Sequence, residues 1–514
     1  MHSGLRPQTR PLALGSLQQV IPVPTHVHGS ASVAVGGVEL DSRLIRQGDL
    51  FAALDGHREH GIIHAAEALD NGAVAILTDD AGWILWNSSA EFSAETPVLV
   101  VDQARLWLGR VAQLLYGNVD AQVQLIGVTG TNGKTTVATM VEAGLQAIGL
   151  TTGFIGTTGV RIGAEFIDSV RTTPESTTVH SLLGAMREQG IHSVAMEVSS
   201  HAMVEHRVSG LRYAAVGFTN LSQDHLDYHG TMQAYFEAKS LLFTAEHAEF
   251  AVICIDDQWG QQLAESTQIP FATVATSGRE ADWTVSRNAE GSWIVQTPAG
   301  ESVPLNLAMP GAFNRANAVL AIALLDHVGV PASIAAAALV DVHVSGRLET
   351  VQSSDGRSTI AGFVDYAHTP DAIGRVITAV RELTSRRIIV VVGAGGDRDP
   401  GKRPLMGAMA ARLADHVIVT DDNPRSEDPA VIRAAILEGA SGLSSANGAV
   451  VLEVGDRRTA IQHAVELAVP GDVVLVLGKG HEQGQEIAGE LLPFDDRIEL
   501  ARALSTRATT VEQP

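Results

Sequence analysis

The run Gly127-Val-Thr-Gly-Thr-Asn-Gly-Lys-Thr-Thr136 constrains this chain more than any other stretch. Apolar residues from Val123 to Val128 precede it. After it, apolar residues recur at Val137, Met140, Val141, Leu145 and Ile148, and Gly149 closes the pattern. Such spacing predicts a strand, a glycine-rich turn and an amphipathic helix, the order a phosphate-binding loop needs. Backbone N–H groups of Gly130, Thr131, Asn132 and Gly133, with Thr136 in the first helical turn, would converge on an anion beside the positive helix end. Lys134 is placed to reach the β- and γ-phosphates of a nucleotide, and the Thr135 hydroxyl to ligate Mg²⁺. The general pattern has glycine at 128, where this chain has Val128. The expectation is a loop that binds ATP.

A chain of 514 residues exceeds one ordinary core, so two to four domains are expected. The formal net charge of −23 excludes a partner whose many phosphates must be neutralised, so no nucleic-acid partner is expected. An anionic substrate would have to meet locally gathered cations. Cys254, the only cysteine, lies in the apolar run Phe250 to Ile255, which excludes disulfides and thiolate metal sites and suggests a buried structural thiol. The first 24 residues lack a continuous apolar stretch, and no run of 18 apolar residues occurs. A cytoplasmic protein without membrane insertion is expected.

Short apolar runs alternate with helical periods, which predicts α/β architecture with mainly parallel sheets. Three segments are expected: residues 1–120, 121–344 and 345–514. The first holds strand candidates Ala73–Leu77 and Val98–Val101 and a helix carrying Leu108, Val111 and Leu115, stopped by Gly117. Its runs Leu40–Arg43, Gly48–Phe51 and Gly56–Gly61 read equally as functional or as a turn-rich surface. In the second, Ser193–Val198, Ala214–Thr219 and Phe250–Ile255 are strand candidates. The third has strand candidates Ile388–Val392, Val417–Thr420, Val450–Glu453 and Val473–Leu477, with helices at Ala430–Gly439 and Thr459–Ala468. Gly395–Arg398, Asp421–Arg425 and Gly478–Glu482 fall just past strand ends, where open parallel sheets hold their ligands.

Glu197, Asp224, His225, Asp227 and His229 follow two central strands and are candidate metal ligands facing the γ-phosphate. Arg398 and Arg425 offer planar forks for a carboxylate. Arg347 and Glu349, with Asp365-Tyr-Ala-His368, suit a hinge, the nucleotide site or a structural turn equally. Lys239, in a helical stretch, looks like an ordinary solvated charge.

Taken together, Gly130–Thr136, Glu197–His201, Asp224–Gly230, Gly346–Glu349, Asp365–His368, Asp422–Arg425 and Gly478–Glu482 closely resemble the Mur ligase family, of the MurE type. The likeness runs in consistent order from about residue 40 to about 500. It implies three domains: a smaller N-terminal α/β domain for a UDP moiety, a central P-loop-type ATPase and a C-terminal Rossmann-like domain that receives an amino acid. It implies ATP-dependent joining of diaminopimelate to UDP-MurNAc-L-Ala-D-Glu, with Mg²⁺, in cytoplasmic peptidoglycan precursor synthesis; a monomer is expected. Leu40, Ser42, His57, Arg58 and Glu59 would lie by the UDP end. Thr172, Thr173, Ser199, Glu205 and Arg207 would hold the muramoyl dipeptide, with Glu205 where relatives often carry glutamine. Asn317 and Arg347 would serve ATP. Relatives carry a carbamylated lysine at Lys239, which would join Thr135, Glu197 and His225 at the metal, and Lys134, Glu197, His225 and Lys239 would be catalytic. Asp422, Asn423, Pro424 and Arg425 match the diaminopimelate-type pattern, with Arg398, Gly478 and Glu482 completing that site. The chemistry implied is attack of the D-Glu carboxylate on the γ-phosphorus, then attack of the diaminopimelate amine on the acyl phosphate. A folylpolyglutamate synthetase-like ligase, a lysine-adding Mur ligase and a non-catalytic nucleotide-binding regulator are the alternatives.

Overall fold

The computed structural model describes residues 5–56, 59–88, 95–117, 122–354, 356 and 358–511, with only the backbone described at 443–447 and 508–511. His57 and Arg58 lie outside the described residues. Three sheets follow one another along the chain. The first orders Thr25–His28, Val98–Val101, Ala75–Thr78, Asp49–Ala53 and Gly37–Glu39, all parallel except the first pairing. The run Gly48–Phe51, open above to a turn-rich reading, instead leads into this sheet. Asp49–Ala53 is buried along its whole length between two parallel neighbours, where an apolar run needs no alternation.

The central sheet has 11 strands. Its parallel part runs Thr152–Gly156, Ser193–Glu197, Gln124–Thr129, Ala215–Phe218, Ala251–Cys254, Phe271–Ala275 and Trp283–Arg287. Antiparallel strands Gly159–Ile162 and Glu165–Ile167 extend one edge, and Trp293–Gln296 and Ser302–Pro304 the other. None of these edge strands stands out in the sequence. Two apolar layers cover the faces. One packs Leu183, Met186 and Phe218, the other Val128, Val141 and Leu324.

The third sheet orders Glu349–Val351, Ala361–Asp365, Val473–Leu477, Ile388–Val392, His416–Val419 and Val450–Glu453, antiparallel only at its first pairing. The expected helices lie at Pro429–Asn447 and Arg457–Leu467. In both large sheets the loops that follow the strands carry the polar clusters, and the two sheets turn these carboxyl ends toward each other. Pairing across that junction is direct: Arg347 of the third body donates to the Thr135 hydroxyl of the central one at 3.1 Å.

Candidate active site

The glycine-rich loop begins at Gly130, two residues beyond Val128. Val128 is the penultimate residue of its strand, completely buried in the central core, so the position where the general pattern has glycine belongs here to the sheet. The two glycines that matter are later. Gly130 has φ +140° and Gly133 φ +93°. A Cβ on Gly130 would stand 1.9 Å from the Thr219 hydroxyl, and one on Gly133 2.4 Å from Asn317 Oδ1. Only glycine fits either place. Asn220 fastens the loop, accepting from Asn132 N at 3.1 Å and donating to Asn132 O at 3.0 Å.

Helix Lys134–Ala147 starts at the loop's end and aims its first residues inward. Lys134 Nζ donates to the carbonyls of Gly130 (3.0 Å) and Thr131 (2.9 Å), and burial pushes its pKa down. The Thr135 hydroxyl donates to Glu197 Oε2 at 3.1 Å. Glu197, the last residue of its strand, is fully buried. Its Oε1 accepts from Thr157 N (2.7 Å) and its Oε2 from the Thr157 hydroxyl (3.1 Å).

Lys239 corrects the reading of an ordinary solvated lysine. It is 1% exposed, donates to Gly130 O at 2.9 Å and lies over the Tyr235 ring. Burial, then the charge of Lys134, pushes its pKa well below the ordinary lysine range. His225, in a left-handed turn at φ +54°, is pushed down to about 3, chiefly by burial, and so is neutral. Burial alone would raise Asp224. The hydrogen bond from His368 and the charge of Lys402 outweigh it and hold the carboxyl well below its ordinary value. The five acidic and histidine candidates do not gather. Asp227 is exposed, and His229 bonds the Ser200 hydroxyl at 2.9 Å. Among the described residues no group of three or more His, Cys, Asp or Glu could hold a metal ion.

A pocket opens between the central and third bodies, beside the loop. Asn132, Gly133, Thr136 and Asn317 form one side, and Arg347, Asp365, Tyr366 and His368 the other. Asp365-Tyr-Ala-His368 is therefore a wall of this pocket. Cys254 lies at its rim, its thiol pushed up to about 12 by burial.

The three loops of the third sheet meet further along. Lys479, fully buried, donates to Asn423 Oδ1 (2.8 Å) and Glu482 Oε2 (3.3 Å), while Asn423 Nδ2 donates to Glu482 Oε2 (2.8 Å). Asp422 is buried beside Gly478 and Lys479. Arg425 has φ +54°, donates to Gly396 O (2.6 Å) and pairs with Glu486 (3.2 Å). Pro424 backs onto Gly396, and Arg398 is exposed, bonded to the Asp397 carbonyl.

On the other side, a cavity between the first and central bodies contains Leu40, Ser42 and Glu59. Next in the chain to Pro174 and Glu175, which line it, Thr173 donates to Glu197 O (2.9 Å) and accepts from Ser199 N (3.1 Å). Thr172 bonds the Thr157 hydroxyl, and Arg207 donates to Thr173 O (3.3 Å) and Glu205 (2.8 Å).

Three family models match in this order: "Mur ligase family, catalytic domain" at residues 34–116, "Mur ligase middle domain" at 128–325 and "Mur ligase, glutamate ligase domain" at 346–480. The UDP-N-acetylmuramoyl-L-alanyl-D-glutamate–2,6-diaminopimelate ligase of Corynebacterium glutamicum is 46% identical over 94% of this chain and 94% of its own. The chain belongs to the Mur ligase family. The Streptomyces coelicolor protein of the same name is 44% identical, covering 93% of each chain. A solved structure of a ligase of that name matches 97% of this chain and 99% of its own, at 29% identity and a TM-score of 0.63.

In this Mur ligase, reading the sequence missed Thr157, Asn220 and Lys402. Lys402 Nζ reaches Asp224 Oδ1 at 3.3 Å across the junction of two bodies. No local pattern marks these three, because each acts on a residue distant in the chain.

Proposed function

We propose that this chain joins diaminopimelate to the D-Glu side-chain carboxylate of UDP-MurNAc-L-Ala-D-Glu, consuming ATP, in cytoplasmic peptidoglycan precursor synthesis. The observation that carries the reading is the Thr135 hydroxyl, which donates to Glu197 while accepting from Arg347 of another body. A phosphate loop, a buried carboxylate and the amino-acid-side body thus meet at one atom. Residues 1–120 serve the UDP end, 121–344 ATP and 345–514 the amino acid.

The loop amides and Lys134 bind the phosphates, and Lys134 stabilises charge as the D-Glu carboxylate attacks the γ-phosphorus. Carboxylate oxygen and phosphorus become bonded, and ADP leaves. The diaminopimelate amine then attacks the acyl carbon of the acyl phosphate. The tetrahedral adduct expels phosphate and loses a proton. Arg347, stacked on Tyr366 and bonded to Thr135, orients the phosphate side and helps exclude water.

The donors present fit Mg²⁺, an ion that takes most of its oxygens from phosphate and water: the Thr135 hydroxyl and the Glu197 carboxylate adjoin at the loop, with neutral His225 nearby. When bound, Mg²⁺ neutralises charge on the phosphate oxygens. Burial favours the unprotonated Lys239 amine, which would attack CO₂, forming an N–C bond and releasing a proton. The carbamate anion would offer the metal oxygen donors that the amine lacks.

At the amino-acid end, Arg425 receives the distal carboxylate of diaminopimelate, and Glu482 with Asn423 its ammonium. The left-handed backbone of Arg425, uncommon for a side chain of its size, aims the fork and is held by Ala488 N donating to Arg425 O at 2.7 Å. Phosphate release from ATP, assayed with UDP-MurNAc-L-Ala-D-Glu and meso-diaminopimelate, LL-diaminopimelate or lysine, tests the reading. Release that requires the UDP-linked dipeptide and a diaminopimelate is expected. Release indifferent to both overturns it.

A further inference from the structure

The cavity between the first and central bodies has walls rich in paired charges, yet one carboxylate in it is oversubscribed. Glu175, at the N-cap of helix Ser176–Glu188, pairs with Arg105 (3.5 Å), with Arg207 (3.1 Å) and, most closely, with Arg171. Arg207 has a second partner in Glu205. Three guanidiniums therefore share two carboxylates, Glu175 and Glu205. Other arginines of the cavity are matched differently. Arg6 is buried between Asp49 and Glu39, and Arg43 lies against its neighbour Asp41.

The three arginines come from different elements. Arg105 stands in the first turn of helix Ala104–Tyr116 and also donates to Asp55 O at 3.4 Å, next to the segment that carries Glu59. Arg171 rises from the central-body segment after strand Glu165–Ile167 and is half exposed. Arg105, Arg171 and Glu175 all line the cavity, on walls supplied by two bodies. Arg207 sits deeper, on the side of Thr173 and Glu197.

We propose that Arg105 and Arg171 form a two-body clamp for a diphosphate, with Glu175 as the counterion that the diphosphate displaces. This rests on the reading of the substrate as a UDP-linked dipeptide. A diphosphate presents oxygens on two phosphorus centres, which suits two separate forks better than a single carboxylate does. The clamp shares its cavity with Leu40 and Ser42, and Glu175 connects it through Arg207 to Thr173 on the reacting side, a path suited to a diphosphate linking uridine to a sugar. Because its jaws belong to different bodies, the same contact draws them together.

Calorimetry on the full chain with UDP and with uridine tests the clamp. Arg105→Ala and Arg171→Ala are each expected to weaken UDP binding by about tenfold or more, as loss of a charge-assisted hydrogen bond does, and to leave uridine binding unchanged. Glu175→Gln is expected to tighten UDP binding. UDP affinity unchanged in both arginine variants overturns the clamp, and so does equal weakening toward UDP and uridine, which marks damage to the pocket. Wild-type protein that binds neither probe overturns the UDP-substrate reading, and the clamp falls with it. Wild-type binding of UDP with the arginine variants unaffected overturns the clamp alone.

Discussion

The phosphate-loop junction and the amino-acid loops of the third sheet differ in how far their side chains are already committed. At the junction, Lys134, Thr135, Glu197 and Lys239 are buried or nearly so, and each is bonded within about 3 Å to the loop or to another of the four. At the amino-acid end, Arg398 is exposed and bonds only a neighbouring carbonyl, while Arg425 keeps part of its fork open. Reaction chemistry needs donors fixed before charge develops. Selection of an amino acid needs donors still free to meet it. Substitutions at the junction should therefore lower kcat, and those at the amino-acid loops should raise KM for one substrate.

The largest loss is expected at Lys239. Lys239→Ala should lower kcat by about three orders of magnitude while the far-ultraviolet spectrum and thermal transition stay close to wild type. Added short carboxylates should restore part of the rate, since they supply the anion that the carbamate would. Full activity in this variant would remove Lys239 from the site. Next comes Glu197→Gln, expected to lower kcat about a hundredfold with little change in the diaminopimelate KM. Its amide nitrogen would face donors at Thr157 and Thr135 that now bond a carboxylate. A change confined to KM would contradict the division between the two regions.

The same contrast governs what the sequence discloses. The phosphate loop is local. Strand, turn and helix lie within 24 consecutive residues, and glycines required by backbone geometry stand in the turn. Buried parallel strands such as Ile388–Val392 are equally legible, because they are short and wholly apolar. Asp49–Ala53 was obscured by an aspartate and small residues, although Arg6 pairs with Asp49 and makes its burial affordable. Lys239 was illegible from its neighbours. Its burial depends on the Gly130 carbonyl, 109 residues away in sequence. Resemblance to a family flagged it where pattern could not. Thr157 is equally silent, a threonine between two hairpin strands whose partner Glu197 is 40 residues distant.

At the amino-acid end the expected effect is smaller and falls on KM. Arg425→Lys should raise the diaminopimelate KM by about ten- to a hundredfold and leave kcat near wild type, since a point charge replaces a planar fork. Preference for diaminopimelate over lysine should narrow by the same factor. An unchanged KM would reject the pairing of Arg425 with the distal carboxylate and would leave the free-donor side of the comparison without its main example.

Thr157 gives the finest test, because it positions Glu197 without touching substrate. Its backbone N–H holds Oε1 at 2.7 Å, and that bond survives any side-chain change. The hydroxyl holds Oε2 at 3.1 Å and also bonds Thr172 at 2.9 Å, so Thr157→Val removes two contacts and keeps the shape. One net hydrogen bond corresponds to about 1 kcal/mol, or roughly a fivefold fall in kcat. Thr157→Ser restores the hydroxyl and should recover most of the rate. The second lost contact separates the two regions further. If Thr172 helps hold the dipeptide, Thr157→Val should also raise KM for the UDP-linked substrate, while KM for diaminopimelate stays fixed. A rise in the diaminopimelate KM instead would mean that the junction and the amino-acid loops are not separable, and that closure of the third body onto the loop, through Arg347 and Lys402, dominates both.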